Sequence, residues 1–165
     1  EVSWFDWENA DHALLEFTTR LIAFRRAHPS FRRRRFFQGR ELHGQDIADI
    51  GWFNPNGRPM EEHDWSDGYA KALAVYLSGE AFETDSRGNP VRDDSFLLLV
   101  NAAPDGVQFV IPTTLPHAHW IEAIDTEHAL VEPPTPEPHA TGDTVTLGGR
   151  CVVVLRAVAG PDDRT

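Results

Sequence analysis

Between Asn9 and His28 the apolar residues Leu14, Leu15, Phe17, Leu21, Ile22 and Phe24 recur mostly three and four positions apart, the period of a helix with one apolar stripe. Asn9 or Asp11 is placed to accept the free N–H groups of its first turn. Arg25, Arg26 and His28 suit the negative end of its dipole, and Pro29 stops it. From about residue 47 the pattern changes to short runs of β-branched and aromatic residues separated by Pro, Gly, Asn and Asp. Seven strands are predicted, over 47–53, 71–77, 95–102, 107–112, 119–125, 144–147 and 150–158. In the second, Leu73, Val75 and Leu77 share one face and Ala72, Ala74 and Tyr76 the other. The third is apolar on both faces, as a central strand covered twice should be, and the last is similar until Arg156. Short, mostly antiparallel strands at this density predict a mainly β fold, an antiparallel β-sandwich preceded by one amphipathic helix.

The connections carry their own signals. Asn54-Pro55-Asn56-Gly57 and Arg87-Gly88-Asn89-Pro90 are turns by composition. The stretch from Pro59 to Gly68 carries Trp65 and reads as a structured excursion. Pro133 to Pro138, with four prolines, should be an exposed, extended loop unable to donate to a sheet ladder. Phe31-Arg32-Arg33-Arg34-Arg35-Phe36-Phe37 invites a phosphate or nucleic-acid reading. In an acidic chain, though, such arginines more often pair with carboxylates while the flanking rings pin the segment to a core.

Charge and length narrow the classes. A net charge of −11 opposes non-specific binding to nucleic acid and to anionic membrane, so neither is an expected partner. No apolar run approaches the roughly 20 residues that span a bilayer. A chain of 165 residues can bury roughly 70% of its unfolded surface without staples. The single cysteine, Cys151, excludes an internal disulfide framework and favours a cytoplasmic location. The chain opens on Glu1, and its first residues read as the interior of a longer protein.

Catalytic signatures are scarce. A phosphate loop, a Gly-x-Ser-x-Gly elbow, paired Cys-x-x-Cys and His-Glu-x-x-His are all absent from the sequence. His117 and His119 alternate and could share a face, but two half-exposed histidines beside a turn are preferred to a metal site lacking a third ligand. Asp93-Asp94 reads as a side-chain turn before a strand in preference to a calcium corner. Cys151, on an apolar strand, reads as an inert thiol. No metal or cofactor is expected. Trp4, Phe5, Asp6 and Trp7 form the densest aromatic cluster: rings to stack on a pyranose around a carboxylate that accepts from hydroxyls, or a staple at the helix entry. Spacing alone favours the staple.

Ser3-Trp4-Phe5-Asp6-Trp7, the helix ending Arg25-Arg26-Ala27-His28-Pro29, and Phe31 to Phe36 together resemble the end of the catalytic barrel in isoamylase-type glycogen debranching enzymes of glycoside hydrolase family 13. Trp52-Phe53-Asn54-Pro55, Gly57-Arg58-Pro59-Met60, Asp64-Trp65, Lys71 to Leu77 and Asp93 to Leu99 resemble the same family's C-terminal region, with the likeness weakest over 126–143. The resemblance implies a parent that hydrolyses α-1,6 branch linkages of glycogen or limit dextrin with retention. That chemistry uses two carboxylates about 5 Å apart. In this family they lie upstream, so no catalytic residue is carried onto this chain, and the segment alone is expected to be inactive.

The resemblance implies two parts: residues 1–46 as the end of the barrel and 47–165 as the all-β sandwich. It raises Trp4, Asp6 and Trp7 as candidates for lining the parent's substrate cleft, level with the stapling reading. Implied partners are α-glucan for the parent and the chain's own catalytic barrel, with the sandwich in a supporting role. A homodimer through the exposed helix stripe is expected if the barrel is missing. The alternative, an α-glucan-binding module, needs an exposed row of aromatics drawn from Trp52, Trp65, Tyr69 and Trp120.

Overall fold

The computed structural model describes residues 7–34, 36, 37, 39, 48–68, 70–80, 83, 84 and 86–159. Helix α1 spans His12–Ala27. Asp11 is its N-cap, accepting from Leu14 N at 3.0 Å, and Arg25 and Arg26 occupy the last turn. Pro29 opens a short 3₁₀ turn through Arg32. The strands then follow as β1 Ile50–Phe53, β2 Ala72–Leu77, β3 Glu83–Thr84, β4 Pro90–Val91, β5 Phe96–Asn101, β6 Val107–Val110, β7 His119–Asp125, β8 Leu130–Val131, β9 Pro138–Ala140, β10 Thr144–Leu147 and β11 Cys151–Val158. A second helix, α2, covers Glu62–Ser66 between β1 and β2.

One antiparallel sheet runs in the order β1-β2-β5-β11-β7-β8, with β9 also paired to β7. The last strand inserts between β5 and β7, so the chain's end locks its middle. Across β11 and β7 the register slips after Val154, where Ile124 faces Val154 but Glu122 faces Leu155, leaving Ala123 as a bulge. Strands β6 and β10 form a two-stranded ribbon, and β3 and β4 a small hairpin.

The two faces of the large sheet are covered differently. On one, the ribbon's Phe109, Val145 and Leu147, with Ile111 just beyond β6, pack against Ala74, Tyr76, Leu97, Leu99, Trp120, Val153 and Leu155. This makes the sandwich. On the other, Phe17, Leu21 and Phe24 of α1 pack against Leu77, Phe96, Ile124, Val131 and Val154. The alternation read from 71–77 therefore holds: Ala74 and Tyr76 point to the ribbon, Val75 and Leu77 to the helix side.

All seven sequence-predicted strands are present, and β5 is central as expected. Four short strands and α2 are additions. Pro138 corrects the loop reading, since it lies in β9 opposite Ile121. A proline fits the first position of an edge strand because its missing N–H can face away from the ladder. Trp120 is a second correction. It is fully buried among the ribbon-side residues, so it belongs to no exposed aromatic row.

Candidate functional site

The helix end and the sheet meet in a polar clamp. His28 Nδ1 lies 2.7 Å from Asp93 Oδ1, and Asp93 Oδ2 accepts from Ser30 N at 2.8 Å. Asp94 N also donates to Asp93 Oδ1, at 2.8 Å. His28 stacks edge-on against Phe96 and tilted against Phe24. Gly79 makes this approach possible: a Cβ there would collide with the carbonyl oxygen of Asp93, while Asp93 N donates to Gly79 O at 2.8 Å. The carboxylate thus does more than form the local turn expected of Asp93-Asp94. His28, Asp93 and Asp94 are the one group among the described residues whose ligand atoms lie close enough to hold a metal ion. Both Asp93 oxygens already accept hydrogen bonds that fasten α1 to the sheet.

The arginine run resolves as pairing and packing. Arg33 sits 3.5 Å from Asp49, both nearly buried, with its guanidinium 3.8 Å above the Phe37 ring. Phe31 joins the helix-side core, whereas Phe36 is almost fully exposed. Arg35 lies outside the described residues.

His117 and His119 are both half-buried. His117 precedes β7 and places Nε2 3.3 Å from Tyr76 Oη, and burial lowers its pKa from the ordinary value. Burial raises the pKa of Tyr76. Cys151 is buried and donates to Gly149 O at 3.3 Å. Its thiol is pushed up, first by burial and then by the charges of Glu127 and Asp125, which makes it a poor nucleophile.

Of the cleft candidates, Trp4 and Asp6 lie outside the described residues. Trp7 stands 74% exposed ahead of α1. Of the aromatics proposed for a glucan row, Tyr69 also lies outside the described residues, while Trp52 and Trp65 come together. Their ring centroids are 5.4 Å apart at 72°, edge to face, with Trp52 40% and Trp65 55% exposed. A groove of about 270 Å³ is lined by Trp65 with Leu73 and Val100, and an adjoining groove of about 560 Å³, lined by neither tryptophan, shares Met60, Asp64, Asp67 and Lys71 with it. The spacing of Trp52 and Trp65 does not show this pairing. The available signal is a tryptophan inside a polar excursion, followed by the chain's only lysine.

The helix side also leaves apolar surface open. Leu14, Leu15 and Ile22 are exposed along α1, Leu14 at the edge of the buried face and Leu15 and Ile22 well around the helix from it. On the same face of the sheet, Leu73, Val100 and Val152 form a half-buried row across β2, β5 and β11, with Val152 packed against the helix-side core. No helix among the described residues is long and apolar enough to cross a membrane.

Comparison with known proteins fits this architecture. The family model described as isoamylase, C-terminal, matches residues 49–156. The glycogen operon protein GlgX homolog of Mycobacterium tuberculosis is 39% identical over 162 residues, covering 94% of this chain and 22% of that protein. The glycogen debranching enzyme of Dickeya chrysanthemi is 32% identical, over 72% of this chain and 14% of its own length. A GlgX homolog of Haemophilus influenzae is 28% identical, over 80% of this chain and 16% of its own. The chain spans less than a quarter of the length of these relatives. Since the matched span runs from just ahead of β1 almost to the end of β11, and the mycobacterial likeness continues across nearly the whole chain, this chain belongs to the isoamylase C-terminal family.

Proposed function

We propose that this chain is the C-terminal part of a glycogen debranching enzyme, hydrolysing α-1,6 branch linkages of glycogen or limit dextrin, and that it supports the catalytic barrel without supplying a catalytic carboxylate. Residues 1–46 then provide the closing loop and last helix of the barrel, and 47–165 the sandwich. In this reading Trp7 stands at the strand-to-helix loop where barrel substrates bind, and Trp4 and Asp6 belong to the same loop.

One observation carries the proposal: apolar surface is left open both on the one element assigned to the barrel and on the sheet face that this element only partly covers. Leu14, Leu15 and Ile22 of α1 and the half-buried row Leu73, Val100 and Val152 all lie on the helix side. An exposed apolar surface of this kind marks a docking face. The barrel is the occupant proposed, because α1 would already belong to it. The His28–Asp93 clamp would then transmit the position of the barrel's last helix to the sheet. A glycogen-handling role also agrees with the cytoplasmic location favoured by the lone cysteine.

The test compares branch hydrolysis by this chain with that by the protein extended upstream through a complete barrel. We expect activity only in the longer protein, and expect Leu15→Asp with Ile22→Asp to lower both its activity and its melting temperature. Hydrolysis by this chain alone, or indifference of the longer protein to both substitutions, overturns the proposal. A second copy is the rival occupant of the stripe. Light scattering decides that point, because a chain that stays monomeric at high concentration does not pair through it.

A further inference from the structure

We propose that Asn56 is a site of spontaneous covalent modification, where the side-chain amide is converted to aspartate or isoaspartate through a cyclic imide with Gly57, at a rate set by opening of the turn that holds both residues. The backbone nitrogen of Gly57, its proton given up to hydroxide, attacks Cγ of Asn56. A new C–N bond closes a five-membered imide, and the side-chain nitrogen takes up a proton from water and departs as ammonia. Water then adds to one of the two imide carbonyls and breaks its C–N bond. One opening leaves aspartate in a normal backbone. The other leaves isoaspartate, in which the backbone runs through Cγ and is one carbon longer. Water is the only co-reactant.

Of the five asparagines, only this one meets the chemical requirements. Asn54 and Asn89 precede Pro55 and Pro90, whose nitrogens carry no hydrogen to lose. Asn101 is buried, its amide nitrogen donating to Asp105 O and Gly148 O at 2.8 and 2.7 Å while its oxygen accepts from Ala103 N at 2.9 Å. Asn9 precedes Ala10, whose methyl crowds the attacking nitrogen. Asn56 is exposed, and its side-chain amide makes no hydrogen bond among the described residues. Gly57 after it has no Cβ to obstruct ring closure.

The turn is the brake. Gly57 N donates to Asn54 O at 2.9 Å, Asn54 N donates to Arg58 O at 2.9 Å, and Gly57 has φ +74°, the arrangement of a tight hairpin loop closed by a left-handed glycine. Asn54 Oδ1 reinforces it by accepting from Asn56 N at 3.1 Å and Arg58 N at 3.2 Å. Attack requires Gly57 N to leave Asn54 O, so the loop must open first. The loop also abuts the ribbon: Val110 N donates to Pro55 O at 2.8 Å, and a Cβ on Gly57 would fall 2.9 Å from Val110 O. The extra backbone carbon of isoaspartate lengthens a loop with no slack at that approach, and it breaks the hold on Val110. Aspartate in a normal backbone adds only a charge.

The test ages this chain in mildly alkaline buffer and maps the products by peptide mass spectrometry, with methylation by an isoaspartate methyltransferase to count the isoaspartate. We expect a gain of about 1 Da confined to Asn56, faster at higher pH because the attacking nitrogen must lose its proton. In guanidinium chloride, where the loop is gone, the reaction should run about tenfold faster than in the folded chain. Asn54→Ala, which removes the acceptor for two loop N–H groups, should speed it severalfold in the folded chain, while Asn54→Asp, which keeps an acceptor there, should not. Hydrogen exchange at Val110 N should rise in the aged chain and stay unchanged in Asn56→Asp.

A chain that gains no mass at Asn56, or gains it equally at other asparagines, overturns the proposal. Equal rates in the folded and unfolded chain overturn the control by the turn, and that comparison needs no variant. The site stands on the chemistry of one loop and is independent of the debranching reading, whose test lies in the α1 variants.

Discussion

The ribbon side and the helix side of the large sheet are built from the same strands, yet only one is sealed. Val152 and Val153 are neighbours on β11, but Val153 is buried against the ribbon while Val152 is only half-buried at the margin of the helix-side core. On the ribbon side, Trp120, Tyr76, Leu97, Leu99 and Phe109 are all essentially inaccessible. On the helix side, one helix covers one end of the sheet and leaves a band of aliphatics at the other. The contrast separates two tasks. The sealed face specifies the fold of this chain, and the open face is the one that our proposal gives to the barrel.

The largest effect should come from opening the sealed face. Trp120→Ala removes a fully buried ring, and we expect a loss of about 3–5 kcal/mol in chemical denaturation. A loss below about 1 kcal/mol would mean that the ribbon is not the principal covering.

Next comes the clamp that joins the helix to the other face. Asp93→Ala leaves His28 and Ser30 N without their carboxylate, and we expect about 2–3 kcal/mol of destabilisation. If the helix side is the looser one, hydrogen exchange in this variant should rise first in α1 and only later in β5 and β11. Simultaneous loss of protection in all three would make the two sides a single cooperative unit.

The valine neighbours sharpen the comparison directly. Val153→Thr buries a hydroxyl in the ribbon core and should cost about 1–3 kcal/mol. Val152→Thr should stay within about 0.5 kcal/mol in this chain. In a protein extended through a barrel, the cost of Val152→Thr should rise while that of Val153→Thr stays the same. Equal behaviour of Val152→Thr in both proteins would show that nothing docks on that row.

The smallest effect is a pH dependence at the rim of the sealed face. Burial depresses the pKa of His117, against a weaker opposing pull from Glu80. Below the ordinary histidine pKa of about 6.5, the unfolded chain therefore binds a proton that the folded chain resists. Stability from this group is fully present above that pH and is lost as pH falls toward the depressed folded pKa. His117→Gln should flatten the dependence of melting temperature on pH in that window. An unchanged slope would assign it to other groups.

Much of this fold is legible residue by residue. The seven longer strands announce themselves through alternation and turn residues, and α1 through its stripe, capping aspartate and terminal proline. The additions are the elements too short to show a period: α2 has five residues, and β3, β4 and β8 have two each. Pro138 misleads because a proline's effect on a ladder depends on which edge its nitrogen faces, and the order of residues carries no such information. Trp52 and Trp65 are visible as residues but not as a pair.

By itself, then, the sequence determined the local conformations, the inward and outward sides of each long strand, and the family likeness, because all of these depend on neighbours in the chain. Only the tertiary structure decided which histidine meets which aspartate, 65 positions apart, and that Trp120 goes to the core while Trp52 and Trp65 meet at the surface. The physical reason is that pairing and burial depend on strand order and register. Placing β11 between β5 and β7 is a global solution to covering apolar area, and no short window of sequence encodes it.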